Sequence, residues 1–432
     1  MPISYPVDLT TQSGDQLCPT GAGQNGNRGP YINGAGDLFI FSLAYPITVP
    51  RVISAYRSQD QGQTWHIVDG ANSIITFHSG GSSTTQLVSP HPTNPNLVTV
   101  IYFTANTPPV VMAQDFDITT ALWAGAPYGG AYPFSPPTSV KPDLYEVAIR
   151  PIAGEFVVFG NTGLAGKSRL QFVRLTPGGV WGVSIDAFPG AVASDQIVLL
   201  GNLSAPSDNQ IACTTNEHVY ALARQYNGGG TVNNLIQCIL SPLNVVTNQF
   251  IDFVDVIGGN LLGYYSGSGG YIAALTKIFL HLMFVPTVPV LADGYAVVGF
   301  AAQGSDIVAP WNMGTVTGPL GGLEYSSHFS FNQTLIYLWA QNSVNDGYYA
   351  TINPTLVLPV VSTPAVLSNF FLGLQATYTV NDLGAGIMGA IGDNGSSLAL
   401  FLIFLPFIIA TSLRINAQTL AAIPLPARSV FN

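Results

Sequence analysis

The chain of 432 residues is apolar and nearly free of charge, with 47% hydrophobic residues, 8% charged residues and a formal net charge of −10. Globular proteins usually carry about 25% charged residues, so this composition is more typical of a surface packed in an extracellular assembly than of a free cytosolic enzyme. The nine arginines are scattered singly. Without a basic patch, the chain is not expected to bind nucleic acid.

Helical periodicity is nearly absent, whereas turn signals followed by β-branched or aromatic runs recur along the chain. The runs expected to form strands are Leu38–Phe41, Leu97–Phe103, Phe156–Phe159, Gln210–Thr214, Leu261–Tyr265, Thr334–Trp339 and Ser396–Phe404. Seven such units predict an all-β fold, a single β-propeller of four-stranded antiparallel blades over residues 1–432. We expect strands from the N-terminus and the C-terminus to close the ring.

A further run, Tyr295–Phe300, follows the turn Asp293-Gly294 between the fifth and sixth units. It forms either the second hairpin of one blade or an extra short blade. Seven blades are therefore predicted, with six and eight as the alternatives.

No leader and no membrane segment is predicted. The first residues, Met1–Pro6, lack the basic and apolar regions of a Sec signal peptide. The most apolar run, Leu398–Ala410, is interrupted by Pro406 and is shorter than the ~20 residues that span a bilayer as a helix. We expect this run to form buried strands.

The sequence contains no metal or cofactor motif. Its three cysteines, Cys18, Cys213 and Cys238, form no CxxC pair and no His/Cys cluster, so no zinc site is expected. Cys213 and Cys238 fall in adjacent predicted strands, where they form either a disulfide or two buried free thiols.

Residues 58–65 form the most specific motif of the chain. Ser58, Asp60, Gly62, Thr64 and Trp65 occupy the fixed positions of the pattern S-x-D-x-G-x-T-W. Short polar side chains can hydrogen-bond the backbone of a tight turn, and glycine readily adopts a positive φ. The Thr-Trp pair suits the start of a return strand. The motif predicts a hairpin turn with a structural role rather than an active site.

This motif and the preceding run Val49–Arg57 resemble the BNR/Asp-box repeat of the sialidase superfamily. The run Pro92–Asn96 is similar to the start of a blade strand in seven-bladed Asp-box relatives, such as the xyloglucanase-type and sortilin-type propellers. The resemblance implies a β-propeller. It implies little about activity, because hydrolases, receptors, assembly factors and virion proteins share the repeat.

The catalytic residues of sialidases find no clear counterpart in this chain. That family binds its substrate through three arginines and uses a tyrosine nucleophile, a supporting glutamate and an acid/base aspartate. The first arginine motif would fall at Pro50-Arg51-Val52, where the order of residues is wrong, and Glu155 is expected to be solvated in a turn. Four further arginines stand in no family motif: Arg150, Arg169, Arg174 and Arg224. The Tyr/Glu neighbours worth testing are Tyr145 with Glu146, and Glu217 with Tyr220.

An endoglucanase-like enzyme would need two carboxylates that face each other across a cleft. The local pairs are Asp115 with Asp117 and Asp143 with Glu146. For both pairs the alternative is that loop carboxylates cap turns.

The segment Ala124–Lys141 is rich in proline and glycine and is predicted to be a loop. Aromatic side chains on a stiff loop lose little entropy on binding, so this segment is a candidate contact surface for a ligand or partner. The alternative is that the aromatic residues pack over the edge of the ring. The candidate residues are Trp123, Tyr128, Tyr132 and Phe134.

Taken together, these features favour a non-catalytic structural or adhesive propeller, such as a bacteriophage decoration, tail or fibre protein. Its expected location is the virion or the extracellular space. Its expected partners are other copies or other proteins of a virion or surface assembly, and a host-surface glycan. No cofactor, metal, nucleic acid or membrane insertion is expected. The alternatives are a glycan-active enzyme, sialidase-like or endoglucanase-like, and a cell-surface propeller that binds glycans or proteins.

Overall fold

The structure is a computed structural model, and the part of the chain that it describes contains thirty strands and no helix. The described residues are 7–8, 29–43, 51–68, 74–76, 86–104, 110–134, 144–164, 167–189, 196–199, 211–213, 215–226, 232–251, 261–272, 277–286, 294–303, 306–317, 323–331, 336–342, 347–353, 365–367, 379–382, 387–393 and 398–404. Among them, no helix is long and apolar enough to cross a membrane.

The strands of the first half of the chain form four antiparallel sheets. Sheet 1 contains β2 (Tyr31–Ile32), β3 (Leu38–Leu43), β4 (Arg51–Ser58), β5 (His66–Ile67) and β6 (Ile74–Thr76). Sheet 2 contains β7 (Gln86–Pro90), β8 (Leu97–Phe103), β9 (Val110–Asp117) and β10 (Leu122–Ala131). Sheet 3 contains β11 (Leu144–Arg150), β12 (Glu155–Leu164), β13 (Lys167–Leu175) and β14 (Ile185–Asp186). Sheet 4 contains β15 (Gln196–Leu199), β16 (Ile211–Cys213), β17 (Val219–Tyr226), β18 (Val232–Leu240) and β19 (Val246–Ile251).

Three more sheets follow in the second half. Sheet 5 contains β20 (Leu261–Ile272), β21 (Lys277–Pro286), β22 (Gly294–Gln303) and β23 (Asp306–Thr317). Sheet 6 contains β24 (Leu323–Phe331), β25 (Ile336–Asn342), β26 (Gly347–Ile352) and β27 (Ala365–Leu367). Sheet 7 contains β28 (Thr379–Asp382), β29 (Ile387–Asp393) and β30 (Leu398–Phe404), together with β1 (Val7–Asp8).

These sheets confirm the predicted all-β fold of four-stranded antiparallel units. The described strands form seven sheets, and the blade number itself stays a prediction. The run Tyr295–Phe300 lies in β22, the third strand of sheet 5, so it belongs to the second hairpin of one unit. In sheet 7, β1 pairs with β30, with Val7 opposite Leu400. The apolar run at Leu398–Ala410 forms β30 as far as Phe404, and its last six residues lie outside the described part.

Neighbouring sheets pack face to face, and the first strands of successive sheets line one side of the structure. β7 contacts β11, β11 contacts β16, β16 contacts β20, β20 contacts β24, and β24 contacts β28. Apolar clusters fill the spaces between sheets 1 and 2, sheets 2 and 3, and sheets 3 and 4. Between sheets 1 and 2, for example, Phe41 and Phe116 meet edge to face with ring centroids 5.3 Å apart. The first strands therefore form the inner wall of the ring.

The two ends of each sheet differ because consecutive strands are antiparallel. Connections from the first to the second strand and from the third to the fourth leave at one end, which we call the turn end. Its described connections in sheets 1–4 are 33–37, 59–65, 91–96, 118–121, 151–154, 176–184, 215–218 and 241–245. Connections from the second to the third strand, and from one sheet to the next, leave at the opposite end, which we call the loop end.

The 58–65 segment joins β4 to β5 at the turn end of sheet 1. Asp60 Oδ1 accepts hydrogen bonds from the Ser58 hydroxyl and the Thr64 amide, both at 2.8 Å, and Asp60 Oδ2 accepts one from the Thr64 hydroxyl at 2.6 Å. The Gly62 amide donates to Ser58 Oγ at 2.7 Å, and Gly62 has a φ of 87°. The buried indole of Trp65 donates to the Gly62 carbonyl at 3.0 Å. All five motif residues thus act within one turn.

The Pro- and Gly-rich segment that follows Trp123 was predicted to be a loop, and this was wrong for its first part. β10 continues through Ala131 and stays paired with β9, with a bulge between Ala124 and Tyr128. Gly129 has a φ of 116°, and a Cβ atom there would lie 2.6 Å from the Val111 carbonyl oxygen. Glycine therefore permits an irregular strand in a segment whose composition resembles a loop.

Replacing Asp60 with Ala should lower the free energy of unfolding by about 1–3 kcal/mol, because the Thr64 amide and hydroxyl lose their acceptor. Partial burial opposes ionisation of Asp60, but hydrogen bonds from Thr64 and Ser58 outweigh it and hold the pKa of the carboxyl below its usual range. The carboxylate therefore stabilises the fold above its unfolded pKa, and this contribution is lost as pH falls through the folded pKa. Urea unfolding of the wild type, Asp60→Ala and Asp60→Asn measures this loss. The free energy of unfolding should fall less in Asp60→Asn than in Asp60→Ala, because asparagine keeps one acceptor oxygen.

Candidate functional site

Three of the arginines and glutamates considered as catalytic candidates, Arg150, Glu155 and Glu217, meet at the turn end, between sheets 3 and 4. Arg150 ends β11 and Glu155 begins β12, and the two residues are paired across the hairpin. Arg150 Nη1 lies 2.6 Å from Glu155 Oε1 and donates to Asn244 Oδ1 at 3.1 Å. Arg150 Nε lies 3.6 Å from Glu217 Oε2. We call Arg150, Glu155, Glu217 and Asn244 the ionic cluster.

Glu217 also anchors the turn of the neighbouring sheet. Its carboxylate accepts hydrogen bonds from the Ile152 amide at 2.9 Å and the Ala153 amide at 3.2 Å. The expectation that Glu155 is solvated was wrong, because Glu155 is 7% exposed and Arg150 only 2%. A charge buried this deeply requires a partner, and across a four-residue turn Arg150 supplies it. Both glutamates therefore have partners inside the fold, and the ionic cluster joins sheets 3 and 4.

A second polar network lies within sheet 2, where the carboxylate pair Asp115/Asp117 was considered. Asp115 Oδ1 accepts hydrogen bonds from the Thr99 hydroxyl at 2.6 Å and the Tyr128 hydroxyl at 2.9 Å. Asp117 Oδ1 accepts from the Thr119 amide at 2.8 Å and caps the turn 118–121. The two carboxylates thus serve separate structural contacts, which favours the turn-capping alternative for this pair. In the pair Asp143/Glu146, Asp143 lies outside the described residues.

His91 completes this network, and the sequence analysis did not single it out. Its Nδ1 accepts hydrogen bonds from the Thr93 and Asn94 amides at 3.2 and 3.1 Å, so the proton of the neutral ring lies on Nε2, 4.0 Å from Asp115 Oδ2. The position of His91 in the sequence could have indicated this role, because it lies directly before the turn 92–96, where a side-chain acceptor can satisfy turn amides. Burial lowers the pKa of His91, and the nearby Asp115 carboxylate opposes this shift.

Two further arginines are also held by carboxylates. Arg169 donates through Nη2 to Asp186 Oδ2 at 3.1 Å and to the Phe188 carbonyl at 2.8 Å, and its side chain is almost completely buried. Arg57 donates through Nε to Asp37 Oδ2 at 3.0 Å. Together with Arg150, these arginines have structural partners within the described part of the chain.

Glu146 differs from the other buried acids in its position. It lies on β11, the first strand of sheet 3, close to the end of the strand that faces the loop end. The pairing with β12 shifts by one residue between Leu144 and Glu146, so Tyr145 is the extra residue of a bulge. The Glu146 carboxyl group is buried, with 8% of the residue exposed, and its Oε1 accepts a hydrogen bond from the Val147 amide at 3.1 Å. Bulges of this kind often re-aim side chains at functional sites.

The structure thereby separates the two Tyr/Glu candidates. Glu217 lies at the turn end in the ionic cluster, and Tyr220 is buried in β17. Glu146 lies toward the opposite end of the inner wall, where long connections collect. In a ring of this kind, the end that carries the longer and more variable connections is the one that usually binds ligands.

The four aromatic residues proposed as a contact surface are largely covered. Tyr128 and Phe134 are 8% and 2% exposed and belong to the apolar cluster between sheets 2 and 3, against which Tyr132 packs. The ring of Trp123 lies 5.1 Å from that of Phe116, edge to face. This placement favours the alternative in which these side chains pack over the ring edge.

The cysteines of sheet 4, Cys213 and Cys238, are not joined by a disulfide. They lie on β16 and β18, on either side of β17 rather than on adjacent strands. Burial, with a smaller effect of Glu217, raises the pKa of Cys213 to about 12, so this thiol is unreactive at neutral pH. Within the described residues, no group of three or more His, Cys, Asp or Glu side chains could hold a metal ion.

Comparison with known proteins bears on the fold of this chain. No family model and no curated protein matches the chain. An ulvan lyase of polysaccharide lyase family PL25 is similar in structure with a TM-score of 0.53 at 8% identity, over 93% of this chain and 96% of that chain. That lyase has also been determined bound to -[GlcA(1-4)Rha3S]-. The polysaccharide lyase Uly1 gives a TM-score of 0.51 at 10% identity, over 93% and 98% of the two chains.

The chain folds as a β-propeller. A third structure, the Hadza microbial sialidase Hz136, gives a TM-score of 0.44 at 8% identity, over 83% of this chain and 74% of that chain. All these identities are too low to carry over an activity, and similarity at this level concerns the fold alone. Only the residues of this chain can therefore identify its functional site.

Replacing Arg150 with Met should lower the free energy of unfolding by about 3–5 kcal/mol, since two buried glutamates would lose their cation. Arg174→Met is the matched control. Arg174 lies 3.9 Å from Glu155, and its side chain is 37% exposed, so its loss should cost less than about 1 kcal/mol. Equal losses in the two variants, measured by guanidinium unfolding, would contradict the structural role of the ionic cluster.

His91 should make the propeller less stable in mild acid. Its pKa is lower in the folded than in the unfolded chain, so the contribution of neutral His91 is complete above the unfolded pKa of about 6.5. This contribution is lost as pH falls through the folded pKa, because a protonated Nδ1 cannot accept the two turn amides. His91→Asn keeps an acceptor oxygen without the titration. Its unfolding free energy should therefore fall less steeply than that of the wild type between about pH 7.5 and pH 5.

Proposed function

We propose that this β-propeller is a glycan-active enzyme that cleaves a polysaccharide at its loop end. The proposal is supported by the similarity in fold to two polysaccharide lyases over 93% of the chain, each with a TM-score above 0.5. It is also supported by the different composition of the two ends. At the turn end, the described carboxylates and arginines cap turns or form ion pairs. The loop end is therefore the better position for a catalytic site.

The observation that carries the proposal is the position of Glu146. A buried carboxyl group on a bulge of the inner wall, near the loop end, can act as a general acid or base toward a sugar bound over the central channel. Tyr145 is its neighbour in the bulge. We assign Glu146 the role either of the general acid that donates a proton to the scissile glycosidic oxygen, or of the general base that takes a proton from the attacking water.

We infer that the substrate is a neutral rather than an acidic polysaccharide. Enzymes that bind anionic sugars usually hold the anion with arginine. The four arginines whose side chains the structure describes, Arg57, Arg150, Arg169 and Arg174, all lie within ion-pair distance of carboxylates of the same chain. The net charge of −10 also disfavours an anionic polymer. A neutral sugar has no carboxylate to activate the elimination that a lyase performs, so hydrolysis is the reaction that this site would catalyse.

The test is a depolymerisation screen with matched neutral and acidic polysaccharides, such as arabinan and xyloglucan against ulvan and polygalacturonate. Glu146→Gln should lower kcat on the active substrate by about 10²–10⁴-fold, because a general acid or base is lost. Tyr128→Phe, a buried change in sheet 2, is the control and should keep full activity. Full activity of Glu146→Gln, with an unchanged melting temperature, would exclude the role assigned to Glu146. Activity on the acidic polymers alone would exclude the neutral substrate.

A second proposal is a structural or adhesive role in a virion or surface assembly. It is supported by the low fraction of charged residues in the chain, 8%. Among the residues whose side chains the structure describes, those classed as exposed also include no Asp, Glu, Lys or Arg. A density gradient of the native source, analysed by mass spectrometry, tests it directly. Stoichiometric banding with nucleic-acid-containing particles would support the structural role. Recovery only in the soluble or envelope fractions would exclude a virion role.

A further inference from the structure

The four glutamates of the chain divide between the two ends of the propeller. Glu155 and Glu217 belong to the ionic cluster at the turn end. Glu146 and Glu324 instead lie on β11 and β24, two first strands of the inner wall. Both strands begin at the loop end, and Glu146 is the third residue of its strand and Glu324 the second. Two glutamates are therefore placed at the same level, where the central channel opens at the loop end.

The two strands share an irregularity of the backbone at this level. β11 begins with Leu-Tyr-Glu and β24 with Leu-Glu-Tyr. In β11 the pairing with β12 shifts between Leu144 and Glu146. In β24 the pairing with β25 shifts between Leu323 and Tyr325, so Glu324 is itself the extra residue of a bulge. Bulges next to active sites re-aim side chains, and here each bulge coincides with a glutamate.

A third first strand separates the bulge from the glutamate. β20 also shifts its pairing at its start, between Leu261 and Gly263, where the extra residue is Leu262. The bulge therefore belongs to the construction of the inner wall and does not require an acidic residue. The glutamates in β11 and β24 call for a different explanation.

Sheets 3 and 6 lie on opposite sides of the ring. Along the inner wall, β11 contacts β16, β16 contacts β20, and β20 contacts β24, so sheets 4 and 5 separate the two strands on one side. The remaining described sheets, 7, 1 and 2, lie on the other side. In a ring of seven sheets, no two strands can be further apart around the circle. Glu146 and Glu324 therefore begin strands that face each other across the channel.

We propose that Glu324 is the second catalytic carboxyl group of this propeller and acts with Glu146 on a sugar chain bound across the loop end of the channel. This inference rests on the proposed hydrolase function. Hydrolysis of a glycosidic bond uses two carboxyl groups on opposite sides of the sugar. Water adds to C1 as the bond from C1 to the leaving oxygen breaks. One glutamate gives its proton to the leaving oxygen, and the other takes the proton of the water.

The experiment compares Glu146→Gln, Glu324→Gln and Asp382→Asn in the full chain. The substrates are the neutral polysaccharide that the wild type cleaves and a dinitrophenyl glycoside of the same sugar chain. Each glutamate variant should lower kcat on the polysaccharide by about 10²–10⁴-fold. Dinitrophenolate leaves without being protonated, so the variant that lacks the acid should still cleave the dinitrophenyl glycoside. The variant that lacks the base should lose activity on both substrates.

Asp382→Asn is the matched control, because it also turns a carboxylate of a first strand into an amide. Asp382 is the last residue of β28, the first strand of sheet 7, and so lies toward the turn end of the inner wall. This variant should keep full activity on both substrates. An equal loss of activity in Asp382→Asn would overturn the specific role of the loop-end glutamates.

Chemical rescue distinguishes a missing catalytic group from a disturbed fold. Azide can attack C1 without a base, so it should restore cleavage of the dinitrophenyl glycoside in one of Glu146→Ala and Glu324→Ala, with a glycosyl azide as the product. Rescue of neither variant would overturn the pairing.

The results also separate this inference from the proposed function. Full activity of Glu324→Gln on the polysaccharide, together with an inactive Glu146→Gln, would exclude Glu324 and leave the hydrolase function standing. A wild type that cleaves none of the polysaccharides would overturn the hydrolase function and this pairing with it.

Discussion

Face-to-face packing between neighbouring sheets is the constraint on which the rest of this propeller depends. A sheet of four short strands has two faces and little stability by itself, so each sheet buries its faces against the sheets before and after it. Phe41 and Phe116 across sheets 1 and 2, and Phe172 with Val219 across sheets 3 and 4, show this packing. Because each sheet buries its faces against the sheets before and after it, charged side chains fit only at the ends of the sheets or in pairs.

The ionic cluster follows from that constraint. Arg150 and Glu217 lie where two apolar faces end, within 3.6 Å of each other, and Glu217 accepts hydrogen bonds from the amides of a turn. Buried ion pairs contribute less net stability than apolar packing, but they fix geometry, because breaking them leaves an unpaired charge. In this propeller the geometry that they fix is that of the exposed turns above them.

The loop end is organised differently. The inner wall reaches it with a bulge at Tyr145, next to a buried carboxyl group. A bulge weakens strand pairing locally, and the fold tolerates it because β11 is an edge strand of its sheet, paired on one side only.

The sequence by itself determined the class of fold, the position of at least one strand in each sheet and the 58–65 turn, because these depend on local periodicity and on side chains within a few residues. β8 begins and ends at the predicted residues, Leu97 and Phe103. Only the tertiary structure decided that Glu155 is buried, that Tyr128 packs inside, and that Glu146 and Glu217 lie toward opposite ends. Those outcomes depend on contacts such as that between Ile152 and Glu217, 65 residues apart. No local pattern encodes which residues of the next sheet a side chain will face.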